Sequence, residues 1–383
     1  MMRSGLGLGL ALVSALGHAH HGAGTFDRNS EVHYVGVITG VDFVNPHAWV
    51  YFDVTSEDGT VEAHRCEMRA ATVLRRSGWS ADLFVPGERL EISGRGDRYD
   101  ANSCYLTTIV FEDGTRADRY GQFDKVEPLS SARRPVRLAN GDLNISGDWA
   151  PEQLVMTDPR GRGGALVPLS TVDQYEPGEG SIGDPTRAGQ GGARQYRTRG
   201  ADLTELGLRE AEAFGTYEPE DNPRMRCETT SIIFDWTFDG PVNRITQQED
   251  TILVQYGQHG FTRHISMNMD EHPRELTPTR GGHSIGRWEG DVLVVDTVGF
   301  APGVLSPPIL NSTELHVEER FSLDTGRMAL TRSYTATDPV YFDGNYEGSD
   351  TIYPADVPYS PDPCNELTFV DYSVEGRNAQ EDE

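Results

Sequence analysis

The sequence predicts an all-β protein: a small OB-like barrel, then a larger antiparallel β-barrel (lipocalin-like) or sandwich, with an irregular glycine-rich junction between them. Three observations carry this reading. Apolar residues alternate in short runs rich in β-branched and aromatic types. The 42 glycines and 22 prolines punctuate those runs as turns. Helical periodicity is confined to two short stretches, and 383 residues suffice for two cores.

Residues 1–19 read as a secretory leader, with Met1-Met2-Arg3 ahead of an apolar stretch from Leu6 to Leu16 and Gly17-His18-Ala19 before the cut. The stretch is too short to span a bilayer, so no transmembrane segment is expected, and the location read from it is periplasmic or secreted. Sixty acidic residues against 33 basic ones give a net charge of −27. That field repels phosphate backbones and anionic lipid, which leaves small molecules, cations or proteins, including copies of the chain, as partners and no nucleic acid. Cys66, Cys104, Cys227 and Cys364 form an even set in an exported chain, so two disulfides are expected. Of the three connectivities, Cys66–Cys104 with Cys227–Cys364 respects the domain split.

Residues 20–125 form the first domain. Strands are expected over His33–Phe43, Ala48–Thr55, Val61–Met68, Arg89–Gly94 and Ser103–Phe111, with one short helix over Ala70–Ser77. Five strands with a helix between the third and fourth is the order of an OB-like barrel, in which the third and fifth strands, carrying Cys66 and Cys104, are neighbours. A mature chain starting at His20 offers an α-amine and an imidazole together, and His21 and His47 supply further imidazoles. This nitrogen-rich set suits copper as the cofactor.

Residues 126–225 lose apolar periodicity. Gly161–Gly164, Gly178–Gly183 and Gly189–Gly192 mark an irregular junction, and no Lys-Ser or Lys-Thr follows to make a phosphate loop. Asn144–Trp149 is an isolated strand-like start, and Thr204–Phe214 is an amphipathic helix entered through Asp202 or Thr204.

Residues 226–383 hold the second domain and an acidic tail. Eight strands are expected, over Ile232–Phe238, Val242–Gln248, Thr251–Tyr256, Phe261–Met267, His283–Trp288, Val292–Val298, Leu315–Leu323 and Met328–Tyr334. Short gaps such as Glu289-Gly290-Asp291 make neighbours antiparallel hairpins. Gly282-His283-Ser284-Ile285-Gly286 has the spacing of a nucleophile elbow, with Asp296 and His316 following in Ser, Asp, His order. An elbow needs a helix directly after the serine, and a strand follows here, so Ser284 is not expected to act as a nucleophile.

Asp296 is a carboxylate on an apolar strand face with Val292 and Val294, while His316, Glu318 and Arg320 share a face of theirs. Facing inward, His316 joins His283, Asp296 and His259 among Trp236, Tyr256 and Trp288 as a ligand pocket or acid–base site. Facing outward, the strip is an ordinary solvated face, the usual fate of charged strand faces. His272 beside Pro273 reads as a loop residue.

His20-His21, Phe26-Asp27, Asn45-Pro46-His47-Ala48-Trp49, Arg75-Arg76-Ser77-Gly78-Trp79 and Pro86-Gly87 resemble a family of exported bacterial domains of unknown function that usually start His-His-Ser-Phe; Gly22-Ala23 replace the usual Ser. In the second half, Asn222–Cys227, Gly282–Asp291 and Leu315–Phe321 are similar to hypothetical exported proteins of environmental bacteria. The resemblance implies an exported β-rich protein and transfers no catalytic residue.

The leading functional expectation is an exported protein binding a small apolar or aromatic ligand in the second domain at His283, Asp296, His316, His259, Trp288 and Tyr256. The alternatives are a copper protein or metalloenzyme at His20, His21 and His47, and a structural subunit of a surface assembly.

Overall fold

The structure is a computed structural model that describes residues 26–123, 135–158, 166–176, 199–215, 220–361 and Cys364. The leader, His20, His21, most of the glycine-rich junction and the acidic tail lie outside the described residues.

Six strands build the first unit: β1 (Phe26–Asp42), β2 (Trp49–Thr55), β3 (Val61–Glu67), β4 (Arg89–Asp97), β5 (Ser103–Phe111) and β6 (Arg116–Asp118), with helix α1 (Ala71–Arg76) after β3. The long β1 pairs antiparallel with both β2 and β4, while β3 and β5 pair in parallel, so five strands close in the order β1-β2-β3-β5-β4. This is the ring expected from the strand pattern. Closure brings Cys66 opposite Cys104 in register, and the disulfide joins them. Alternation places Val50, Phe52, Leu90, Ile92, Leu106 and Ile109 inside. Gly36 is required where β1 crosses β2, because a Cβ there would lie 2.6 Å from the Asp53 carbonyl oxygen.

The second unit is a closed nine-stranded barrel. Its strands are β7 (Gly147–Pro151), β11 (Asn243–Gln247), β12 (Thr251–Gln255), β13 (Thr262–Ser266), β14 (His283–Glu289), β15 (Val292–Val298), β18 (His316–Asp324), β19 (Ala329–Asp338) and β20 (Phe342–Pro354). They are neighbours in that order, and β20 returns to pair with β7. Small elements decorate the barrel: hairpin β8 (Leu154–Met156) with β9 (Leu166–Pro168), strand β10 (Asp202–Leu203), helix α2 (Glu205–Ala213) and hairpin β16 (Gly303–Ser306) with β17 (Ile309–Asn311). No helix among the described residues is long and apolar enough to cross a membrane.

The structure departs from the expected strands at three places, Ile232–Phe238, the β13–β14 pairing and β20. Ile232–Phe238 is not a strand: a 3-10 turn spans Phe234–Trp236, because Ser231 Oγ accepts the amides of Ile233 (3.2 Å) and Phe234 (3.0 Å) and starts a helical turn instead. Ile232, Ile233 and Trp236 from this segment complete the barrel core. Pairing is not antiparallel throughout: β13 and β14 run parallel, joined by the crossing segment 267–282. The expected strand-like start near Trp149 is present as β7, which fills the gap between β11 and β20. Strand β20 had no expected counterpart.

Inside the barrel lie buried charges as well as apolar groups. Glu319 bridges Arg263 Nη2 at 2.5 Å and Arg332 Nη1 at 3.1 Å, and Arg332 also bonds Asp350 at 2.7 Å. Arg332 donates to the carbonyls of Ile232 (2.9 Å) and Ile233 (3.1 Å), which fastens the 3-10 segment within the barrel. Ser284 belongs to this interior. It is 2% exposed and its hydroxyl accepts Arg263 Nε at 2.9 Å, so it cannot meet a substrate from outside.

The two units meet at Arg76 of α1, a side chain 5% exposed. It bonds both Asp356 oxygens at 2.8 and 3.2 Å and the carbonyls of Gly240 (2.9 Å) and Pro151 (2.7 Å). Cys227–Cys364 ties the end of the described chain to the segment ahead of the 3-10 turn.

A candidate acid–base cluster on the barrel wall

Alternation along β14 decides the site. Ser284 points in, so His283 points out. On β15, Leu293 and Val295 belong to the core, which turns Asp296 outward beside it. Ile285 pairs with Asp296 and His283 with Val298, so the histidine and the aspartate are diagonal neighbours on the outer face. His316 opens β18, one strand further on, and Glu318 stands opposite Asp296.

The fourth member is His272, from the crossing segment 267–282. Its Nε2 lies 2.9 Å from Asp296 Oδ2, and its Nδ1 lies 2.8 Å from His283 Nδ1. His316 Nε2 reaches the other aspartate oxygen, Oδ1, at 2.5 Å. The chain of contacts is therefore His316, Asp296, His272, His283. Burial decreases outward: side-chain exposure is 16% for His272, 26% for Asp296 and 46% for His316.

Proton positions follow from the partners. Burial alone pushes the Asp296 carboxyl up, but hydrogen bonds from His316 and His272 outweigh it and hold it below its ordinary range. The ionised carboxylate only accepts, so His272 Nε2 carries a proton. One proton lies between the two Nδ1 atoms: with His272 in its neutral form, its Nδ1 accepts from His283 Nδ1–H and His283 Nε2 is unprotonated. Burial, with the charge of a protonated His272 second, lowers the His283 pKa and so favours the neutral imidazole. The two rings meet with centroids 5.0 Å apart and planes at 74°, a separation that points the two Nδ1 atoms at each other across one shared proton.

Residues 9–104 match a family of unknown function, DUF6152. The match covers the N-terminal quarter of the chain as far as Cys104 in β5, and the wall cluster lies beyond it. No curated protein and no solved structure matches the chain.

Of the residues expected to share one pocket, the structure brings His283, Asp296 and His316 together and leaves out the other three. Tyr256 and Trp288 face the barrel core, with the Tyr256 hydroxyl donating to the Ile232 carbonyl at 3.2 Å. His259 sits in the turn after β12 with positive φ, where burial and Arg224 push its imidazole down to about 4. Cluster and core are thus on opposite sides of the wall: His316 faces outward, yet it meets Asp296 there, a grouping expected only of the inward reading.

His272 was the residue missed. Nothing in its neighbours is periodic, and only the length of the segment between β13 and β14 signals that the chain must cross the outer wall and meet the strands it passes.

His47 follows the cis Asn45–Pro46 peptide, and its Nδ1 lies 2.9 Å from Glu67 Oε1. Glu67 is in turn held by Arg119 at 3.2 Å. Among the described residues no group of three or more histidine, cysteine, aspartate or glutamate side chains is arranged to hold a metal.

Proposed function

We propose that the protein is an exported acid–base catalyst acting on a small molecule at the outer wall of the second barrel. The observation that carries this is the contact of His272 and His283 through their Nδ1 atoms, with Asp296 behind. His283 Nε2 takes a proton from an acidic C–H or O–H of the substrate. At the same time His283 releases its Nδ1 proton to His272 Nδ1. The positive charge then rests on His272, bonded to the Asp296 carboxylate, and the reverse transfer returns a proton to the product. Ser284 faces inward, so the reading calls for general base catalysis without a covalent intermediate. Two disulfides fit a chain that matures in an oxidising compartment.

The test uses nitrobenzisoxazole, whose ring opens when a general base removes its single acidic C–H proton. The wild type is expected to exceed free imidazole at equal concentration, and His283→Gln to lose the excess. Equal rates for wild type and His283→Gln would remove the proposal.

A second reading, copper binding, is favoured by His47. Donation of its Nδ1 proton to Glu67 leaves Nε2 bare, the arrangement seen in metal-ligating histidines. Cu(II) titration of the mature protein checks it: a site at His47 weakens in His47→Ala and is untouched by His283→Gln.

A further inference from the structure

A groove of about 350 Å³ runs between helix α2 and the β16–β17 hairpin. Its apolar lining comes from Phe214, Pro302, Val304, Leu310 and Tyr341, of which Phe214 and Val304 are buried. The helix wall is fixed: Thr204 Oγ1 caps α2 by accepting from the Gly207 amide at 3.1 Å, and a Cβ on Gly207 would lie 2.0 Å from the Tyr341 carbonyl oxygen. Only a glycine lets the helix approach Tyr341 this closely.

Arg280 lines the same groove. Its guanidinium donates to the Pro302 carbonyl at 3.2 Å and meets no carboxylate at ion-pair distance among the described residues. It lies across Gly303, where a Cβ would collide with Nη1 at 1.4 Å, so the glycine makes the seat in which this cation rests. The carboxylates bordering the groove differ from it: Glu210 bonds Arg209 at 3.1 Å and Asp221 caps the Gly215 amide at 2.7 Å. The groove therefore presents two guanidinium groups beside an apolar wall, Arg280 seated on Gly303 and Arg226 bonded to Glu228 at 2.9 Å, with negative charge at its border.

We infer that this groove binds a small organic monoanion, with its single acidic group on Arg280 and an aromatic or aliphatic body against Phe214, Val304 and Leu310. A volume of about 350 Å³ lies within the range of small-molecule sites. A second anionic group is disfavoured by Glu210, Glu220 and Asp221, all of which line the groove. The inference adds a ligand class in the second half of the chain and stands apart from the histidine relay. Arg280 nevertheless precedes His283 by three residues on the segment that also carries His272, so a ligand here borders the chain of the proposed catalyst.

The test uses two fluorescent probes of similar body, anilinonaphthalene sulfonate, a monoanion, and neutral N-phenylnaphthylamine, each titrated into folded protein. Saturable one-to-one binding of both is expected. Arg280→Gln and Gly303→Ala, each verified as folded by circular dichroism, are expected to weaken the sulfonate about tenfold and leave the neutral probe unchanged. Leu310→Gln is expected to weaken both probes. Absence of saturable binding, sulfonate affinity unmoved by Arg280→Gln, or equal loss of both probes in Arg280→Gln overturns the inference. Because nitrobenzisoxazole reports the relay separately, a failure here leaves that reading standing, and the converse holds.

Discussion

Asp356, just beyond β20, grips Arg76 of α1 through both carboxylate oxygens, and the two residues belong to different barrels. Arg76 also donates to Gly240 and Pro151, while Gln153 Nε2 bonds Asp356 at 2.6 Å. The seam between the barrels thus centres on one buried guanidinium with its side-chain partners supplied by the second barrel, beside Gln153, which donates to the Arg76 carbonyl at 2.7 Å and accepts from Gln122 at 3.0 Å. Removing the carboxylate leaves that charge buried and short of an acceptor. Asp356→Ala is expected to cost about 3 kcal/mol. Calorimetry checks it: the barrels melt together in the wild type and as two separate transitions in the variant.

Asp296→Asn tests the proton assignment on the wall. A carboxamide offers one acceptor and one donor where two imidazole N–H groups now donate, so one histidine must change tautomer. Nitrogen NMR of the histidine rings is expected to show His283 protonated at Nδ1 in the wild type and that signature disturbed in the variant. The proton-abstraction rate on nitrobenzisoxazole should fall about a hundredfold, the lower end of what a positioned base contributes.

His259 and Asp235 give opposing pH slopes. The His259 imidazole is pushed by burial from 6.5 down to about 4, so the unfolded chain takes up this proton first. Its contribution is complete above about pH 6.5 and is lost as pH falls toward 4. Burial pushes Asp235 from 3.8 up to about 7, so here the folded chain holds the proton more tightly. Its contribution is present below pH 3.8 and lost as pH rises through 7. Asp235→Asn is accordingly expected to stabilise the protein at pH 8 by on the order of 2 kcal/mol and to do little at pH 4. His259→Gln should flatten the acid side of the profile, and urea denaturation across this range reads both.

Glu319 is 0% exposed between Arg263 and Arg332. Glu319→Gln leaves Arg263 without its carboxylate and Arg332 with Asp350 alone. A loss of about 3–5 kcal/mol is expected, since an unpaired charge stays in the barrel interior. Equilibrium unfolding measures it, and full stability in the variant would show that water reaches Arg263.

Much of the architecture was legible because local signals and tertiary demands agreed. The β14–β15 hairpin is an instance: Gly290 at positive φ makes the tight turn, and the flanking alternation sets the register from Glu289 opposite Val292 to His283 opposite Val298. The ring order of the first barrel and the pairing of Cys66 with Cys104 followed from the strand and helix order in the same way. Reading failed where a single side chain outbid propensity. Ser231 turned an apolar, aromatic stretch into a helical turn, because its hydroxyl captured two amides that a strand would have given to neighbours. Strand β20 escaped notice because Asp343, Gly344, Asn345 and Gly348 are poor strand formers, and pairing on β19 and β7 overrides them. For the site, alternation could place His283, Asp296 and His316 relative to one another. His272 was beyond its reach, since a crossing segment has no period.

The closure of the second barrel by β7 and β20 has a consequence for how the chain matures. Pro151 meets Ile352, so the first stave made and the last are side by side, and every other stave is synthesised between them. Until β20 arrives, the growing sheet carries two open edges that can zip onto another copy. Such long-range joining is slow. A stop anywhere before Phe342 would therefore yield an adhesive half-cylinder in place of a smaller working protein.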